Sequence, residues 1–161
     1  MTATVRQLRD ALMAQTAQAA DRKTRLPARV RSWLEVARTE VPRVIVVDDD
    51  PLMRSVIARL LGGRCETTTC SDASAALELL RHEEFDLVVA DVSMPGMLGV
   101  DLVRELRRSS MRPLVPVLLI SGASGQDLAE FARRCGANAW LMKPFDVEEM
   151  RDIVANLTEQ K

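Results

Sequence analysis

The chain has 161 residues, of which 47% are hydrophobic and 28% are charged, and its formal net charge is -1. This composition is typical of a globular protein and excludes an intrinsically disordered chain. No apolar run approaches the roughly 20 residues that a membrane-spanning helix needs. Because the N-terminus lacks the apolar core of a signal peptide and the three cysteines have no metal-ligand spacing, we expect a cytoplasmic protein with reduced thiols.

Charge divides the chain into two parts. Residues 1–43 hold nine Arg or Lys against four Asp or Glu, whereas residues 44–161 hold thirteen against nineteen. Residues 1–42 are predicted to form a helical extension of two helices. In the second of these, apolar residues recur at helical spacing before Pro42, at Val30, Trp33, Leu34, Ala37 and Val41.

The apolar stripe of the extension needs a partner surface. We expect it to be buried in a homodimer through residues 1–42 or docked on the remaining domain, residues 43–161. Two further interpretations are a basic arm that contacts nucleic acid and a fragment of a larger domain. Nucleic acid is disfavoured, because the basic residues are mixed with acids and Trp33 is the one aromatic residue of the extension.

Strand and helix patterns alternate from residue 43 onward. Strands are predicted at 43–48, about 65–69, 87–91, 116–121 and 139–142. Helices are predicted to begin at Asp50-Pro51, near 72, near 99, at Ser124 and at Asp146. This alternation with short connections implies an α/β fold, a five-stranded parallel sheet with helices on both faces.

Three adjacent carboxylates follow the first predicted strand. The run Val44–Val47 is apolar at every position, as expected of a strand covered on both faces, and leads directly into Asp48, Asp49 and Asp50. Adjacent carboxylates repel, so a fold that holds them together needs a counter-charge, which a hard divalent cation supplies. Because Asp50 precedes Pro51, we expect it to cap the helix rather than to bind metal.

The other strand ends carry complementary groups. Asp91 ends the third predicted strand, Ser121 ends the fourth, and Lys143 follows the fifth. Open parallel sheets bind ligands at the carboxyl ends of their strands, so these side chains are expected at one edge. Carboxylates with a metal, a hydroxyl and an ammonium group fit a phosphoryl-transfer site, and a carboxylate can itself accept the phosphoryl group.

Several segments of the chain, taken in their sequence order, resemble the CheY-like response-regulator receivers of two-component signalling. They are Val47–Pro51, Asp91–Gly96, Leu119–Gly122 and Leu141–Phe145, and the resemblance covers residues 43 to about 158. It implies the flavodoxin-like strand order 2-1-3-4-5 and Mg2+ as cofactor. It also implies phosphorylation by the phosphohistidine of a sensor kinase or phosphotransfer protein, followed by a surface change that a downstream protein reads. With no output domain expected in the chain, we expect a switch that catalyses only its own phosphorylation and dephosphorylation and is not otherwise an enzyme.

The resemblance also implies a role for each matched residue. Asp91 is the phosphoacceptor, and Lys143 pairs with the phosphoryl oxygens. The expected metal ligands are Asp48, Asp49, Asp91 and the main-chain carbonyl of Ser93, with Asp48 acting through metal-bound water. Ser121 and Trp140 are the expected switch residues, and the Lys143-Pro144 bond is expected to be cis.

This sequence departs from the family pattern at three positions. Leu98 stands where Asp is frequent, Gly122 where Ala is usual, and Trp140 where Tyr or Phe is usual. These departures bear on the amplitude of switching and on the lifetime of the phosphoryl group, and not on the phosphorylation site.

Two alternative functions remain open. Asp48–Asp50 also fits the Asp-x-Asp motif of haloacid-dehalogenase-like phosphatases, with Asp48 as the nucleophile, although no Gly-Asp pair follows Lys143 and no cap domain is evident. The second alternative is a receiver that serves as a binding module without being phosphorylated. The single histidine, His82, is expected at the surface, so a phosphodonor histidine has to come from a partner.

Overall fold

A computed structural model describes residues 41–109, 114–122 and 133–159. The strands are β1 (Arg43–Val47), β2 (Glu66–Cys70), β3 (Leu87–Asp91), β4 (Val117–Ser121) and β5 (Ala139–Met142). The helices with assigned bounds are α1 (Pro51–Leu61), α2 (Ala73–His82), α3 (Gly99–Arg108) and α4 (Val147–Thr158). Residues 1–40 of the predicted extension and the start of the helix predicted from Ser124 lie outside the described residues. None of these four helices has both the length and the apolar character needed to cross a bilayer.

All strands run parallel in the order β2-β1-β3-β4-β5, so the predicted sheet and its strand order are confirmed. In the register of β1 and β3, Val47 lies opposite Ala90. Asp48 and Asp91 each follow one member of that pair by one residue. The carboxyl ends of the two strands therefore bring these acidic residues to the same edge of the sheet.

The sheet separates two hydrophobic cores. Alternate residues of β1 and β3 (Ile45, Val47, Val88 and Ala90) join buried side chains of α2 and α3. The intervening residues (Val44, Val46, Leu87 and Val89) join buried side chains of α1 and α4. Both faces of the central strands are thus covered, which explains why the sequence of β1 is apolar at every position after Arg43.

Aspartate side chains begin three of the described helices. Asp50 accepts from the main-chain N–H of Leu52, and Asp72 accepts from that of Ala75. Asp146 accepts from the N–H groups of the first turn of α4. These contacts satisfy donors that have no partner within the helix. The predicted capping roles of Asp50 and Asp146 are confirmed.

Helix α3 begins in close contact with the end of β3. A Cβ atom at Gly99 would collide with the main-chain carbonyl oxygen of Asp91, and the N–H of Gly99 donates to the carbonyl of Val92 at 3.0 Å. Glycine is the one residue that permits this approach, because it lacks a Cβ atom. Gly99 thereby holds the start of α3 against the strand that carries Asp91.

The N-cap of α3 is the position where a stabilising substitution is expected. Leu98 occupies it without a side-chain hydrogen bond, and 46% of the residue is exposed. Leu98→Asp would supply an acceptor for the first-turn N–H groups and should raise the free energy of unfolding by about 1 kcal/mol. Urea denaturation of the full chain measures this change. Leu98→Ala is the control, and equal stability of the two variants would contradict the capping argument.

Candidate functional site

Two buried carboxylates and one amine meet where β1, β3 and β5 end. The Nζ atom of Lys143 donates to Oδ2 of Asp48 at 3.0 Å and to Oδ1 of Asp91 at 2.6 Å. Asp48 is 2% exposed and Asp91 is 7% exposed. Since these partners lie 95 and 52 residues from Lys143 in sequence, the contacts depend entirely on the sheet topology.

Lys143 reaches the acidic pair across β4. It follows the edge strand β5, and its main-chain N–H donates to the carbonyl of Ser121 at 2.7 Å. Two strand spacings, about 10 Å, separate β5 from β3, and a third separates it from β1, so a long side chain is needed. The Lys143-Pro144 peptide bond is cis, as expected. The stem of Lys143 thus lies over the end of β4 while its ammonium group contacts residues of β1 and β3.

Each carboxylate is also held by the loop that follows it. Oδ1 of Asp48 accepts from the N–H of Asp50 at 2.9 Å, and Oδ2 of Asp91 accepts from the N–H of Ser93 at 2.7 Å. In both side chains, one oxygen faces a main-chain donor and the other faces Lys143. Both carboxylates are therefore fixed in orientation by two hydrogen bonds each.

The positive charge of Lys143 does not fully balance the negative charge of the site. Burial lowers the pKa of Lys143, but hydrogen bonds to Asp91 and Asp48 and the charges of these groups raise it by more, so the net pKa lies above the ordinary value of 10.5. The ammonium group is charged at neutral pH. A single positive charge thus faces two carboxylates, and a third, Asp49, is adjacent in sequence. Such an excess of negative charge attracts a cation.

The predicted donor set fits Mg2+ in its chemistry. Carboxylates of Asp48, Asp49 and Asp91 and the carbonyl oxygen of Ser93 are hard ligands of the kind that Mg2+ takes. The structure brings Asp48 and Asp91 together, whereas Asp49 is exposed. Across the described residues, no three acidic, histidine or cysteine side chains are close enough to enclose a metal ion. Mg2+ keeps several waters as ligands and is commonly held by only one or two carboxylates. The carboxylates of Asp48 and Asp91 are therefore enough to hold it.

The remaining predicted residues lie at or near the same edge. Ser121 ends β4 and is 2% exposed, between the strands that carry Asp91 and Lys143. Ser93 is exposed in the loop after β3. Trp140 lies in β5 opposite Leu119, and 38% of the residue is exposed. The expected switch aromatic therefore reaches solvent in this structure.

Arg54 is a residue of the site that the sequence analysis missed. From the first turns of α1, its Nη1 atom donates to the carbonyl oxygens of Asp48 at 2.6 Å and of Asp49 at 3.1 Å. The only signal in the sequence is an arginine about one helical turn beyond the capping residue Asp50. That signal is weak, because main-chain acceptors carry no residue signature.

Removing the ammonium group should destabilise the fold. Lys143→Met leaves Asp48 and Asp91 buried together without a cation. The expected loss is about 3 kcal/mol, the low end for breaking a buried ion pair, since 23% of the lysine side chain faces solvent. Urea denaturation at pH 7 measures it, and Mg2+ should restore more stability to the variant than it adds to the unchanged chain. The exposed Arg64→Met is the control, and equal losses in both variants would contradict the ion-pair argument.

The pKa of Lys143 sets the pH range over which its ammonium group stabilises the fold. Because the folded-state pKa is raised above 10.5, the stabilising contribution is complete below that value and is lost as the pH rises through the folded-state pKa. The stability difference between the unchanged chain and Lys143→Met should therefore be constant from neutral to mildly alkaline pH.

Comparisons of sequence and of structure with known proteins all match this chain to response regulators. Residues 44–155 match the response regulator receiver domain. The chemotaxis protein CheY of Pseudomonas aeruginosa is 32% identical over 120 residues, which cover 73% of this chain and 97% of that protein. The response regulator protein FleR of the same organism is 40% identical over 115 residues, which cover 70% of this chain and 24% of FleR. The solved structure of the chemotaxis response regulator CheY4 of Vibrio cholerae has a TM-score of 0.68 and 27% identity, and covers 73% of this chain and 99% of that one.

Proposed function

The chain belongs to the response regulator receiver family, and on that basis we propose that it accepts a phosphoryl group on Asp91 from the phosphohistidine of a sensor kinase or phosphotransfer protein. The observation that carries the proposal is the contact of one ammonium group with two buried carboxylates at the end of the sheet. Neither the phosphatase alternative nor the phosphorylation-independent binding module has a comparable observation in its favour.

Transfer to Asp91 is an exchange of one bond for another. A carboxylate oxygen of Asp91 bonds to phosphorus as the phosphorus–nitrogen bond of the donor breaks. The electron pair of the broken bond stays on the donor imidazole. Both oxygens of Asp91 are engaged, by Lys143 and by the N–H of Ser93. Because a carboxylate oxygen has two lone pairs, one of them remains for attack on phosphorus beside the existing hydrogen bond. Attack of water on phosphorus later releases inorganic phosphate and restores the carboxylate.

Asp48, Asp49, Asp91 and the carbonyl of Ser93 are proposed to hold Mg2+ at this site. When bound, Mg2+ offsets the negative charge of the carboxylates and of the phosphoryl oxygens. The excess of negative charge over Lys143 supports this role, as does the oxygen-only donor set.

Lys143 and Ser121 are proposed to respond to the phosphoryl group. The ammonium group can transfer its hydrogen bond from Asp91 to a phosphoryl oxygen, and the buried Ser121 lies at the end of the neighbouring strand. Charge-assisted hydrogen bonds contribute about 1.5–3 kcal/mol each. Two of them can reverse an equilibrium whose states differ by a few kcal/mol. The partly exposed Trp140, three residues before Lys143, is proposed to change its packing with that shift, which a downstream protein reads.

Asp91→Asn tests the phosphoacceptor. The full chain with Mg2+ and acetyl phosphate should gain one phosphoryl group by intact-mass spectrometry, and Asp91→Asn should gain none, because an amide oxygen is a poor nucleophile. Asp50→Asn is a matched control, since it makes the same change beside the site and asparagine also caps helices. Stoichiometric labelling of Asp91→Asn, or a phosphoryl group mapped to Asp48, would refute this assignment and favour the phosphatase alternative.

Residues 1–42 are proposed to form a helical extension that pairs two copies of the chain. The apolar stripe through Trp33 supports this, and docking on the domain at 43–161 is the second candidate. If pairing is correct, analytical ultracentrifugation should give a dimer for the full chain and a monomer for residues 43–161. Trp33→Asp in the full chain should also be monomeric. Equal monomer masses for all three would exclude pairing through the extension.

A cytoplasmic location belongs to the same proposal. The described part of the chain contains Cys65, Cys70 and Cys135, and none of them forms a disulfide. Reduced cysteines fit the compartment in which kinase-driven phosphoryl transfer takes place.

A further inference from the structure

Arg54 donates to the main chain of the acidic turn between β1 and α1, residues Asp48–Asp50, and it is outside the set of residues assigned above to phosphoryl transfer. We propose that Arg54 is a positioning residue that sets the Mg2+ affinity of this site by holding the main chain of Asp48 and Asp49. The inference rests on the proposed function, because it assumes that these carboxylates bind Mg2+.

The contacts of Arg54 are directed at the main chain. One nitrogen, Nη1, is shared by two consecutive carbonyl oxygens, at 2.6 Å for Asp48 and 3.1 Å for Asp49. The same turn is held from within by the bond from the N–H of Asp50 to Oδ1 of Asp48. It is held from β2 by the bond from the N–H of Asp48 to the carbonyl of Cys70 at 3.2 Å. The turn thus has restraints from a helix, from a strand and from itself.

Binding to carbonyls leaves the carboxylates available. Within the described part of the chain, the hydrogen bonds of Arg54 go to two carbonyl oxygens and to no carboxylate oxygen of Asp48 or Asp49, although both residues are acidic and near it. A guanidinium group that paired with those carboxylates would compete with a metal ion for the same oxygens. Fixing the two carbonyls instead fixes the Cα–Cβ directions, and hence the positions from which the side chains extend.

Asp49 is the residue for which this positioning matters most. Lys143 and a main-chain N–H orient the carboxylates of Asp48 and Asp91, whereas Asp49 is exposed and joins no metal-sized cluster among the described residues. Its carboxylate therefore depends on the main chain of the turn for its direction. The carbonyl of Asp49 is one of the two groups that Arg54 holds.

Charge and positioning predict opposite effects of removing Arg54. A cation near a Mg2+ site repels the metal, so if charge alone mattered, neutral Arg54→Gln would bind Mg2+ more tightly. If Arg54 positions the turn, the same variant should bind Mg2+ more weakly by about 10-fold or more, as is usual when a group that orients metal ligands is lost. The sign of the change separates the two roles.

Calorimetric titration of the full chain with MgCl2 is the test. The unchanged chain, Arg54→Gln and Arg54→Lys are compared with Arg59→Gln, which makes the same charge change at an exposed position of α1. We expect weak binding by Arg54→Gln and an unaltered dissociation constant for Arg59→Gln. Arg54→Lys should fall between Arg54→Gln and the unchanged chain, because lysine keeps the charge but not the planar geometry of the guanidinium group.

The outcomes separate this inference from the proposed function. Equal or tighter Mg2+ binding by Arg54→Gln overturns the positioning role and leaves the proposed function intact. If circular dichroism shows Arg54→Gln to be unfolded, Arg54→Lys decides: weaker binding supports the role, and an affinity equal to that of the unchanged chain overturns it. Absence of Mg2+ binding by the unchanged chain overturns the metal role of the site and this inference with it.

Discussion

Two carboxylates, Asp48 and Asp91, are buried within reach of the single ammonium group of Lys143, and the arrangement of the domain follows from that constraint. Burying charge is costly unless a partner of opposite sign and further hydrogen bonds accompany it. Here the partner comes from the far side of β4, and the hydrogen bonds come from the loops that follow β1 and β3. The sheet has to be parallel for this to happen, since only then do the three strands deliver their final residues to one edge.

The hydrophobic cores and the polar site are parts of one arrangement. Helices cover both faces of β1 and β3, so Val44–Val47 and Leu87–Ala90 are apolar and buried, and Asp48 and Asp91, which follow them, are buried as well. Shielding from water strengthens the contacts of Lys143, and it also raises the cost of leaving any carboxylate unpaired. A site of this kind responds strongly when a charged group is added or removed, which suits a receiver domain.

Two glycines beside the site have opposite requirements. Gly99 is demanded by packing, because any side chain would collide with the main chain of Asp91. Among the described residues, which stop at Gly122 and resume at position 133, a Cβ atom at Gly122 would meet nothing within 4 Å, so their packing would permit the alanine that is usual in the family. Leu98 is a further departure, since it replaces a helix cap with an exposed apolar side chain.

The sequence by itself determined the types and order of the described elements, because apolar periodicity and caps such as Asp50 and Asp146 act within a few residues. It also placed Asp48, Asp91, Ser121 and Lys143 at strand ends, and the rule for parallel sheets then predicted their convergence. Errors in the described elements were limited to their ends, as for β2, found at Glu66–Cys70 rather than at 65–69.

Only the tertiary structure decided which atoms meet. The link from Arg54 to two carbonyl oxygens could not be read from the chain, because every residue has a carbonyl and its direction depends on the fold. The exposure of Trp140 and the separation of Asp49 from the buried pair depend in the same way on neighbours that are distant in sequence. Local chemistry thus selected the elements and the candidate residues, whereas packing of the sheet against its helices decided their distances and burial.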